Sequence, residues 1–259
     1  MFGPLAPKAG SPQIVNTNNN PLAGYLPYSN GDGTYSWNAL QMMPSLGNQP
    51  KLFGGYVVAS NSATALTNFG RTSAGSTQGT GSNAVDSTGS FINYLTAGTT
   101  GSTAGQSPGA WTEYRYSPRM VACLKFPSSG DLVNIRFYCG LWSSTGPNSD
   151  AANNTACASF RYSTAADGGF FQTMTQVGSS NLRTLKSTGV AVTAGTIYYM
   201  AIDASNSNFI NFYINGTLVN THNTNLPTGS TTMGSSVITI TTENVAKNIK
   251  IGAIYFETA

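Results

Sequence analysis

The acidic residues of the chain are few and widely spaced, which limits the acid–base chemistry open to it. Only three glutamates and six aspartates occur among 259 residues. Glycoside hydrolysis commonly uses two carboxylates at a fixed separation, one as the acid and the other as nucleophile or base. Neither Glu113 nor Asp203 has an acidic neighbour at such a spacing. We therefore predict that the protein is not an enzyme and has no catalytic residues.

Histidine and cysteine offer little for a metal site or a nucleophile. His222 is the only histidine, and no Cys, His or Asp cluster surrounds it, as a zinc site or a Ser-His-Asp triad would require. Because it ends a hairpin strand, we expect it on the surface. Cys123, Cys139 and Cys157 lack C-x-x-C spacing and lie in predicted strands. We expect buried, reduced thiols, with one Cys123–Cys139 disulfide as the alternative.

Aromatic and arginine side chains provide the best candidate for a binding site. A sugar site needs an exposed aromatic ring flanked by hydrogen-bonding groups, and Trp142 ends the strand candidate FYCGLW beside a polar loop. Four further residues could share a sheet face with Trp142 and contribute to glycan binding, namely Tyr138, Arg136, Arg161 and Tyr116. The alternative for each is packing in or between sheets, where most aromatics of a sandwich lie.

The elements that would position these residues are β-strands, and residues 196–227 set the pattern. The runs 197–202 and 209–214 are β-branched and aromatic with a period of two. Turn-forming residues fill 203–208, where Asp203 is expected to cap the turn with its side chain. Asn215-Gly216 is a strong signal for a type I′ hairpin turn, and TLVNTH returns as a third strand. This is an antiparallel meander.

The same pattern recurs along the chain. Roughly a dozen strand segments are separated by polar turns, and no convincing helical periodicity is present. This spacing predicts an all-β fold, and the number of strands favours a two-sheet antiparallel jelly-roll sandwich over a seven-stranded immunoglobulin domain.

Composition narrows the classes of partner. Charged residues make up 8% of the chain and the formal net charge is +3, with lysines and arginines scattered. We therefore predict no nucleic-acid binding. No apolar run is long enough to span a membrane, and the N-terminus lacks the basic and apolar regions of a signal peptide.

Residues 1–50 differ from the rest of the chain. They hold seven of its twelve prolines, which disfavour both ladders and helices, yet they are rich in apolar side chains. We interpret them as an extended arm that orders against a partner chain. The alternative is a strap packed on its own domain. The residues expected to anchor the arm are Ile14, Val15, Leu22, Tyr25, Tyr28 and Trp37.

Several segments together resemble a known family. FRYSTAADGGFF, STGVAVTAGTIYYMAIDAS, NFYINGTLVNTHNTNLP, WTEYRYSPRMVACLKF and FYCGLW are similar to the concanavalin A-like lectin/glucanase jelly roll of tailed-bacteriophage virion proteins. The resemblance covers 51–259 and leaves 1–50 outside. It implies two packed antiparallel sheets and a role as a capsid decoration protein, head fibre or tail fibre. Members bind glycans or are purely structural, so the fold does not fix the function.

The resemblance also shows what the chain lacks. Glucanases of this fold carry an E-x-D-x-x-E strand, which is absent here. Lectins of the fold bind calcium through Asp and Asn, and the nearest approximation is a loop with Asp150, Asn148, Asn153 and Asn154. This loop is a weak match, so we predict neither a metal nor a cofactor.

These observations lead to one main expectation and one alternative. The main expectation is a non-enzymatic virion structural protein, a capsid decoration or cement protein anchored by residues 1–50 that projects 51–259 as a lectin-like knob. It would assemble in the host cytoplasm, lie on the phage particle surface as a homotrimer, and contact the major capsid protein or other virion proteins. The alternative is a receptor-binding tail fibre or spike protein that recognises a host surface glycan.

Overall fold

The computed structural model describes four isolated strands, 25–29, 35–39, 55–56 and 81–86, and then residues 89–106, 112–143, 155–178 and 182–258. The chain divides into two compact units, Met1–Pro50 and Lys51–Ala259. In the first unit, β1 (Tyr25–Ser29) and β2 (Tyr35–Ala39) form an antiparallel pair in which Pro27 lies opposite Trp37. A ladder therefore forms despite the prolines, because both strands of a two-stranded sheet are edges.

The second unit contains two antiparallel sheets. The seven-stranded sheet has the order β12-β11-β10-β9-β16-β6, and β7 pairs with the start of β16. Its strands are β6 (Thr103–Gln106), β7 (Thr112–Glu113), β9 (Ile135–Trp142), β10 (Cys157–Ser163), β11 (Phe170–Gln176), β12 (Arg183–Ala191) and β16 (Thr232–Thr241).

The eight-stranded sheet has the order β15-β14-β13-β8-β17-β5-β4, and β3 pairs with β17. Its strands are β3 (Gly55–Tyr56), β4 (Gly81–Asp86), β5 (Gly89–Leu95), β8 (Arg119–Lys125), β13 (Tyr198–Asn206), β14 (Phe209–Ile214), β15 (Thr217–His222) and β17 (Asn248–Glu257). The helical elements in the described residues are two short 3-10 turns, Tyr114–Tyr116 and Ser129–Leu132, and no helix there is long and apolar enough to span a bilayer. The prediction of a two-sheet antiparallel sandwich is confirmed.

The core lies between the two sheets and is built by alternation. Successive side chains of a strand point to opposite faces, so every second residue of each strand faces the partner sheet. Phe126 meets Phe137 edge-on at 5.2 Å between ring centroids, and Phe160 meets Phe212 at 5.4 Å. These rings come from different segments of the chain, and fully burying one such side chain contributes roughly 1.5–3 kcal/mol. The core therefore fixes which face of each strand is turned away from it.

The predicted meander is present with one difference. Strands β14 and β15 have the predicted bounds, and Asn215 and Gly216 have φ angles of 51° and 79°, as a type I′ turn requires. Strand β13, however, continues to Asn206 through an irregularity in its pairing with β14, so the turn is shorter than predicted. The Asp203 carboxylate accepts a bond from the Ser205 N–H at 3.0 Å, as expected for a capping residue, and also pairs with Arg119.

Two sequence expectations concern buried groups. His222 is fully buried, so the prediction of a surface histidine is wrong: β15 turns this residue inward, towards the facing sheet. The three cysteines are free thiols, with Cys139 and Cys157 buried and Cys123 partly exposed, which excludes the alternative disulfide. Burial raises the pKa of all three thiols.

The edge strands β12 and β15, which belong to different sheets, are joined by side chains. Lys186 Nζ donates to the Thr221 carbonyl at 2.8 Å, and the Thr184 and Thr224 hydroxyls are 2.7 Å apart. We call this line of contacts the seam. It closes one side of the sandwich without a backbone ladder.

Candidate functional site

The candidate site is the outer face of the seven-stranded sheet, by which we mean the face turned away from the sandwich core. Along β9, Ile135, Phe137, Cys139 and Leu141 belong to the core. The residues between them therefore point to the outer face. There Tyr138 and Trp142 form a second apolar cluster with Cys157, Met174, Ile238 and Ile240 from β10, β11 and β16.

Four of the five residues proposed for glycan binding lie on this face. Arg136, Tyr138 and Trp142 alternate along β9, and Arg161 of β10 is directly opposite Tyr138. Tyr116 is not among them. It lies in the 3-10 turn Tyr114–Tyr116 and is 49% exposed, with the Arg115 guanidinium 5.3 Å from its ring centroid.

The expectation that Trp142 is an exposed ring is wrong. Its side chain is 2% exposed and that of Tyr138 is 1% exposed, and the two rings meet edge-on with centroids 5.6 Å apart. Gly140 lies between them on the same face. A Cβ at this position would lie 2.4 Å from the Ala158 carbonyl oxygen, so the strand pair leaves no room for a side chain. Because Gly140 has no side chain, the Tyr138 and Trp142 rings on either side of it can contact each other.

Buried polar atoms without a hydrogen-bond partner are concentrated on the outer face. Among the described residues these include Trp142 Nε1, Ser163 Oγ, Ser236 Oγ and Thr103 Oγ1. Ser236 lies opposite Gly140, and Thr103 lies opposite Ile240. Nearly all buried polar atoms in proteins are hydrogen-bonded, and a cluster of exceptions needs an explanation. Four such unpaired atoms on one sheet face indicate a surface that is suited to a polar ligand.

A buried ion pair between Arg161 and Asp167 fixes one side chain of the outer face. Arg161 Nε and Nη2 donate to the two Asp167 carboxylate oxygens, each at 3.0 Å, and both side chains are almost fully buried. Asp167 also accepts the Ser163 backbone N–H at 2.7 Å. The two-bond geometry fixes the plane of the guanidinium. Arg161 is therefore a preorganised group beside Tyr138.

Solvent reaches the outer face from the β12 side. Leu185 is 37% exposed and Ser187 is exposed, whereas Met174, Cys157 and Trp142 behind them are buried. Arg183, opposite Gln176, completes the β12 edge and is half-buried. The face is thus polar and solvent-accessible at β12 and becomes apolar and shielded towards β9 and β16.

Sequence reasoning missed several of these residues. Thr103, Ser163, Arg183 and Ser236 sit in unremarkable segments, and only the strand pairing brings them to one face. Asp167 follows β10 and reaches the face through its ion pair with Arg161. The available signal was the period of two: it groups Arg136 with Tyr138 and Trp142 but cannot join separate strands. Glu113, which has no acidic neighbour at catalytic spacing in the sequence, pairs with Arg115 at 2.7 Å.

Metal ligands are not grouped in the part of the chain that the structure describes. No set of three or more His, Cys, Asp or Glu side chains there could hold an ion. The calcium candidates Asp150, Asn148, Asn153 and Asn154 lie outside the described residues, as do Ile14, Val15 and Leu22 of the proposed anchor. Tyr25, Tyr28 and Trp37 lie in β1 and β2.

No protein-family model matches the chain. A search of curated proteins likewise finds no match. Solved structures do resemble it. An endo-β-1,4-glucuronan lyase from the fungus Trichoderma reesei aligns with a TM-score of 0.54 at 9% identity, covering 81% of this chain and 96% of the lyase. The carbohydrate recognition domain of Emp47p aligns with a TM-score of 0.51 at 8% identity, covering 79% of this chain and 95% of that domain. A carbohydrate esterase from the Shiga toxin-encoding bacteriophage phi24B aligns with a TM-score of 0.51 at 13% identity, covering 81% of this chain and 98% of the esterase.

These similarities establish the fold as a concanavalin A-like jelly roll, shared with proteins that bind or process carbohydrate. They also overturn the prediction that the protein is not an enzyme, because the same architecture carries a lyase. The missing glucanase motif therefore does not exclude other enzymatic chemistry on this fold. One of the similar structures is a phage protein.

Proposed function

We propose that the sandwich binds carbohydrate on the outer face of its seven-stranded sheet. The observation that carries the proposal is the set of buried, unpaired polar atoms there: Trp142 Nε1, Ser163 Oγ, Ser236 Oγ and Thr103 Oγ1. A sugar has hydroxyl groups that both donate and accept, so it can satisfy an indole N–H and several serine or threonine hydroxyls at once. The carbohydrate recognition domain of Emp47p, with the same fold, supports this choice of ligand.

The exposure of the outer face suggests how an oligosaccharide would lie on it. The oligosaccharide would enter at β12, where Leu185 and Ser187 meet solvent, and extend towards the shielded end at Trp142. The Tyr138 and Trp142 rings, which contact each other edge-on, would supply an apolar wall at the shielded end. Ligand sites typically combine such apolar walls with a few fixed polar groups.

Serine substitutions test this site without disturbing the fold. Ser236→Ala and Ser163→Ala each remove a hydroxyl that bonds no protein atom, so thermal stability should be unchanged or slightly higher. Ser235→Ala is the matched control, because Ser235 also has a buried, unpaired hydroxyl but lies opposite the core residue Leu141. On a glycan array, wild type and Ser235→Ala should bind the same glycans, and Ser236→Ala should lose roughly fivefold or more in affinity.

Two results would count against the proposal. If the wild-type protein binds no glycan on a broad array of host and environmental glycans, the proposal of a carbohydrate site is refuted. Equal loss of binding in Ser235→Ala and Ser236→Ala would place the effect in the fold and not in the outer face.

We further propose that the protein is a virion component of a tailed bacteriophage, where residues 1–50 anchor it and 51–259 project from the particle. The resemblance of its segments to phage virion jelly rolls and the similar fold of the phi24B esterase support this role. As a capsid decoration protein it would stabilise the shell by mass action, since arm contacts with the assembled shell favour assembly. A homotrimer would present three outer faces and raise weak glycan affinity through avidity.

The alternative placement is a receptor-binding fibre or spike on the tail, and imaging of purified particles separates the two. Antibody labelling spread evenly over the head would support decoration, and labelling confined to the tail would support receptor binding. Absence of the chain from purified particles would refute both. A chain lacking residues 1–50 should remain folded and lose particle binding; if it still binds, the arm is not the anchor.

A further inference from the structure

The opposite side of the sandwich carries a second group of aromatic side chains. On β8, β13, β14 and β17 every second residue belongs to the core, so the residues between them point away from it. We call this side of the eight-stranded sheet the back face. It presents three partly exposed tyrosines, Tyr199, Tyr213 and Tyr255. A sugar site needs exposed aromatic rings of this kind, and the buried Trp142 does not supply one.

The strand register places two of these tyrosines at the ends of one row across four strands. Tyr213 of β14 lies opposite Ala201 of β13. Val121 of β8 lies between Ala201 and Tyr255 of β17. Neighbouring strands are about 4.8 Å apart, so the Cα atoms of the two tyrosines are roughly 14 Å apart. The two residues between them have short side chains, and the row therefore forms a groove with an aromatic wall on each side.

Hydrogen bonds hold both walls of the groove in place. The Tyr255 hydroxyl donates to Glu257 Oε2 at 2.9 Å, and burial together with this bond raises the pKa of that phenol to about 12. Burial and the Asp203 carboxylate raise the pKa of Tyr213, whose phenol also bonds to Asn211. Each phenol thus bonds to a residue two positions away on its own strand. The two rings therefore lie along their strands, on either side of the short residues.

A row of charged side chains closes one end of the groove. Asp203 and Glu257 lie opposite Arg119 on its two neighbouring strands. Arg119 Nε donates to Asp203 Oδ1 at 2.9 Å, and Arg119 Nη1 donates to Glu257 Oε1 at 3.2 Å. Shielding three charges from water is costly, and apolar residues often give equal or greater stability at such places. Stability alone therefore does not account for this row, whereas recognition of a polar ligand does.

The other end of the groove is formed by Tyr199 and Cys123. These residues lie opposite each other, and their side chains are hydrogen-bonded. Both are partly exposed, so solvent reaches the groove from this end. The groove is thus lined by aromatic rings on its long sides and by fixed polar groups at its ends, which is the usual composition of a ligand site.

The groups around the groove select the class of ligand. The Asp203 and Glu257 carboxylates accept hydrogen bonds, the Arg119 guanidinium donates them, and phenols do both. Because both carboxylates are engaged by Arg119, the row favours hydroxyl groups over a ligand of either charge. A sugar ring carries such hydroxyls and also has apolar faces that can pack against aromatic rings. We propose that the groove is a second carbohydrate site, which binds a neutral sugar of a polysaccharide. It lies on the opposite sheet from the outer face and does not depend on the site proposed there.

The first test is electrophoresis of the full-length protein in native gels that contain laminarin, xyloglucan, galactomannan or dextran, all neutral polysaccharides. At least one of them should retard the wild type. Tyr213→Ala removes one wall and should weaken that binding roughly tenfold, whereas Tyr213→Phe keeps the ring and should stay within about threefold. Tyr116→Ala is the matched control, because Tyr116 is also exposed but lies in a 3-10 turn. It should stay within about twofold of the wild type.

The second test uses the wild-type protein. Cys123 lies at one end of the groove and is partly exposed, so a thiol reagent reaches it in the native protein. A saturating concentration of the polysaccharide that retards the protein should slow alkylation of Cys123 severalfold. Ser236→Ala, which is changed on the outer face, should show the same protection.

The outcomes separate the groove from the outer face. Retardation that is lost in Tyr213→Ala, together with protection of Cys123, would support the groove. Unchanged alkylation of Cys123 would refute it even if Tyr213→Ala proved unstable. Retardation that is lost in Ser236→Ala and kept in Tyr213→Ala would refute the groove and place binding on the outer face alone. No retardation by any neutral polysaccharide would also refute the groove, and the glycan array would still test the outer face.

Discussion

His222 is predicted to set the acid limit of stability of the sandwich. Its ring is fully buried between the sheets, with Nε2 2.8 Å from the Thr173 hydroxyl and Nδ1 3.0 Å from the Thr175 hydroxyl. Phe212 lies against it with ring centroids 4.9 Å apart. The residue therefore links β15 of one sheet to β11 of the other through both nitrogens.

The hydrogen-bond network assigns the tautomer. The Thr175 hydroxyl donates to the Thr224 carbonyl at 3.0 Å, so it must accept from His222 Nδ1–H. The Thr173 hydroxyl accepts from Asn220 Nδ2 at 2.9 Å and can then donate to Nε2. Nε2 is thus the site that gains a proton in acid. Protonation would turn the Thr173 hydroxyl towards the Lys186 carbonyl, 3.3 Å away, and leave a positive charge in the core.

Burial, and to a smaller extent the positive charge of Lys186, lowers the pKa of His222 from 6.5 to about 4. The unfolded chain takes up this proton near pH 6.5, whereas the folded chain does so only near pH 4. Stability is therefore unaffected by His222 above pH 6.5 and falls as the pH drops from 6.5 towards 4. The slope is at most about 1.4 kcal/mol per pH unit, so between pH 7.5 and 4.5 the loss is roughly 2–3 kcal/mol.

The test is urea denaturation of wild type and His222→Gln at pH 7.5, 6.0 and 4.5. Glutamine keeps a donor and an acceptor but has no proton to gain, and all other titrating groups are common to both proteins. The variant should be the less stable protein at pH 7.5 because it loses packing against Phe212. The stability difference should shrink by roughly 2–3 kcal/mol at pH 4.5. Parallel pH profiles would refute the reasoning, since they would mean that His222 does not resist protonation.

Three further outcomes are expected. Gly140→Ala should lower stability in urea by roughly 1–3 kcal/mol, because the new Cβ forces β9 away from the Ala158 carbonyl; unchanged stability would show that the strands separate easily. Asp167→Asn should cost roughly 3–5 kcal/mol by the same assay, because it leaves the buried Arg161 guanidinium without its carboxylate; a loss below about 1 kcal/mol would contradict the pairing. With a thiol reagent at pH 8, Cys123 should be the one native thiol to react among the three cysteines, and all three should react in urea; rapid native reaction of a second thiol would contradict their burial.

Local pattern was sufficient to predict the strands and the hairpin. The alternation in 209–214 and the Asn215-Gly216 pair predicted β14, its turn and β15, because both signals depend on neighbouring residues alone. The same alternation grouped Arg136, Tyr138 and Trp142, because a strand has a fixed period. The two-sheet architecture follows from such strands, each with one apolar face to bury.

Contacts between distant strands could not be predicted in this way. His222 is the last residue of a short hairpin strand, which suggested exposure, but β15 faces β11 of the other sheet. Trp142 was expected to be exposed because a polar loop follows it. Its side chain is buried, and it belongs to an apolar cluster with Met174, Ile238 and Ile240, which are distant in the sequence. Ser163, Ser236 and Thr103 carry no local signal, since a buried hydroxyl is unusual only when its partners are known.

The seam between β12 and β15 has a consequence for the precision of the outer face. Alternate residues of β12 face opposite sides: Arg183, Leu185 and Ser187 point to the outer face. Lys186 bonds Thr221 of β15, and Thr184 bonds Thr224, just after that strand. A slip of one residue would exchange the two sets, placing the side chains of the outer face in the seam and the hydrogen-bonding groups of the seam in solvent. The edge strand at which the outer face meets solvent is therefore held in register from behind, by the opposite sheet.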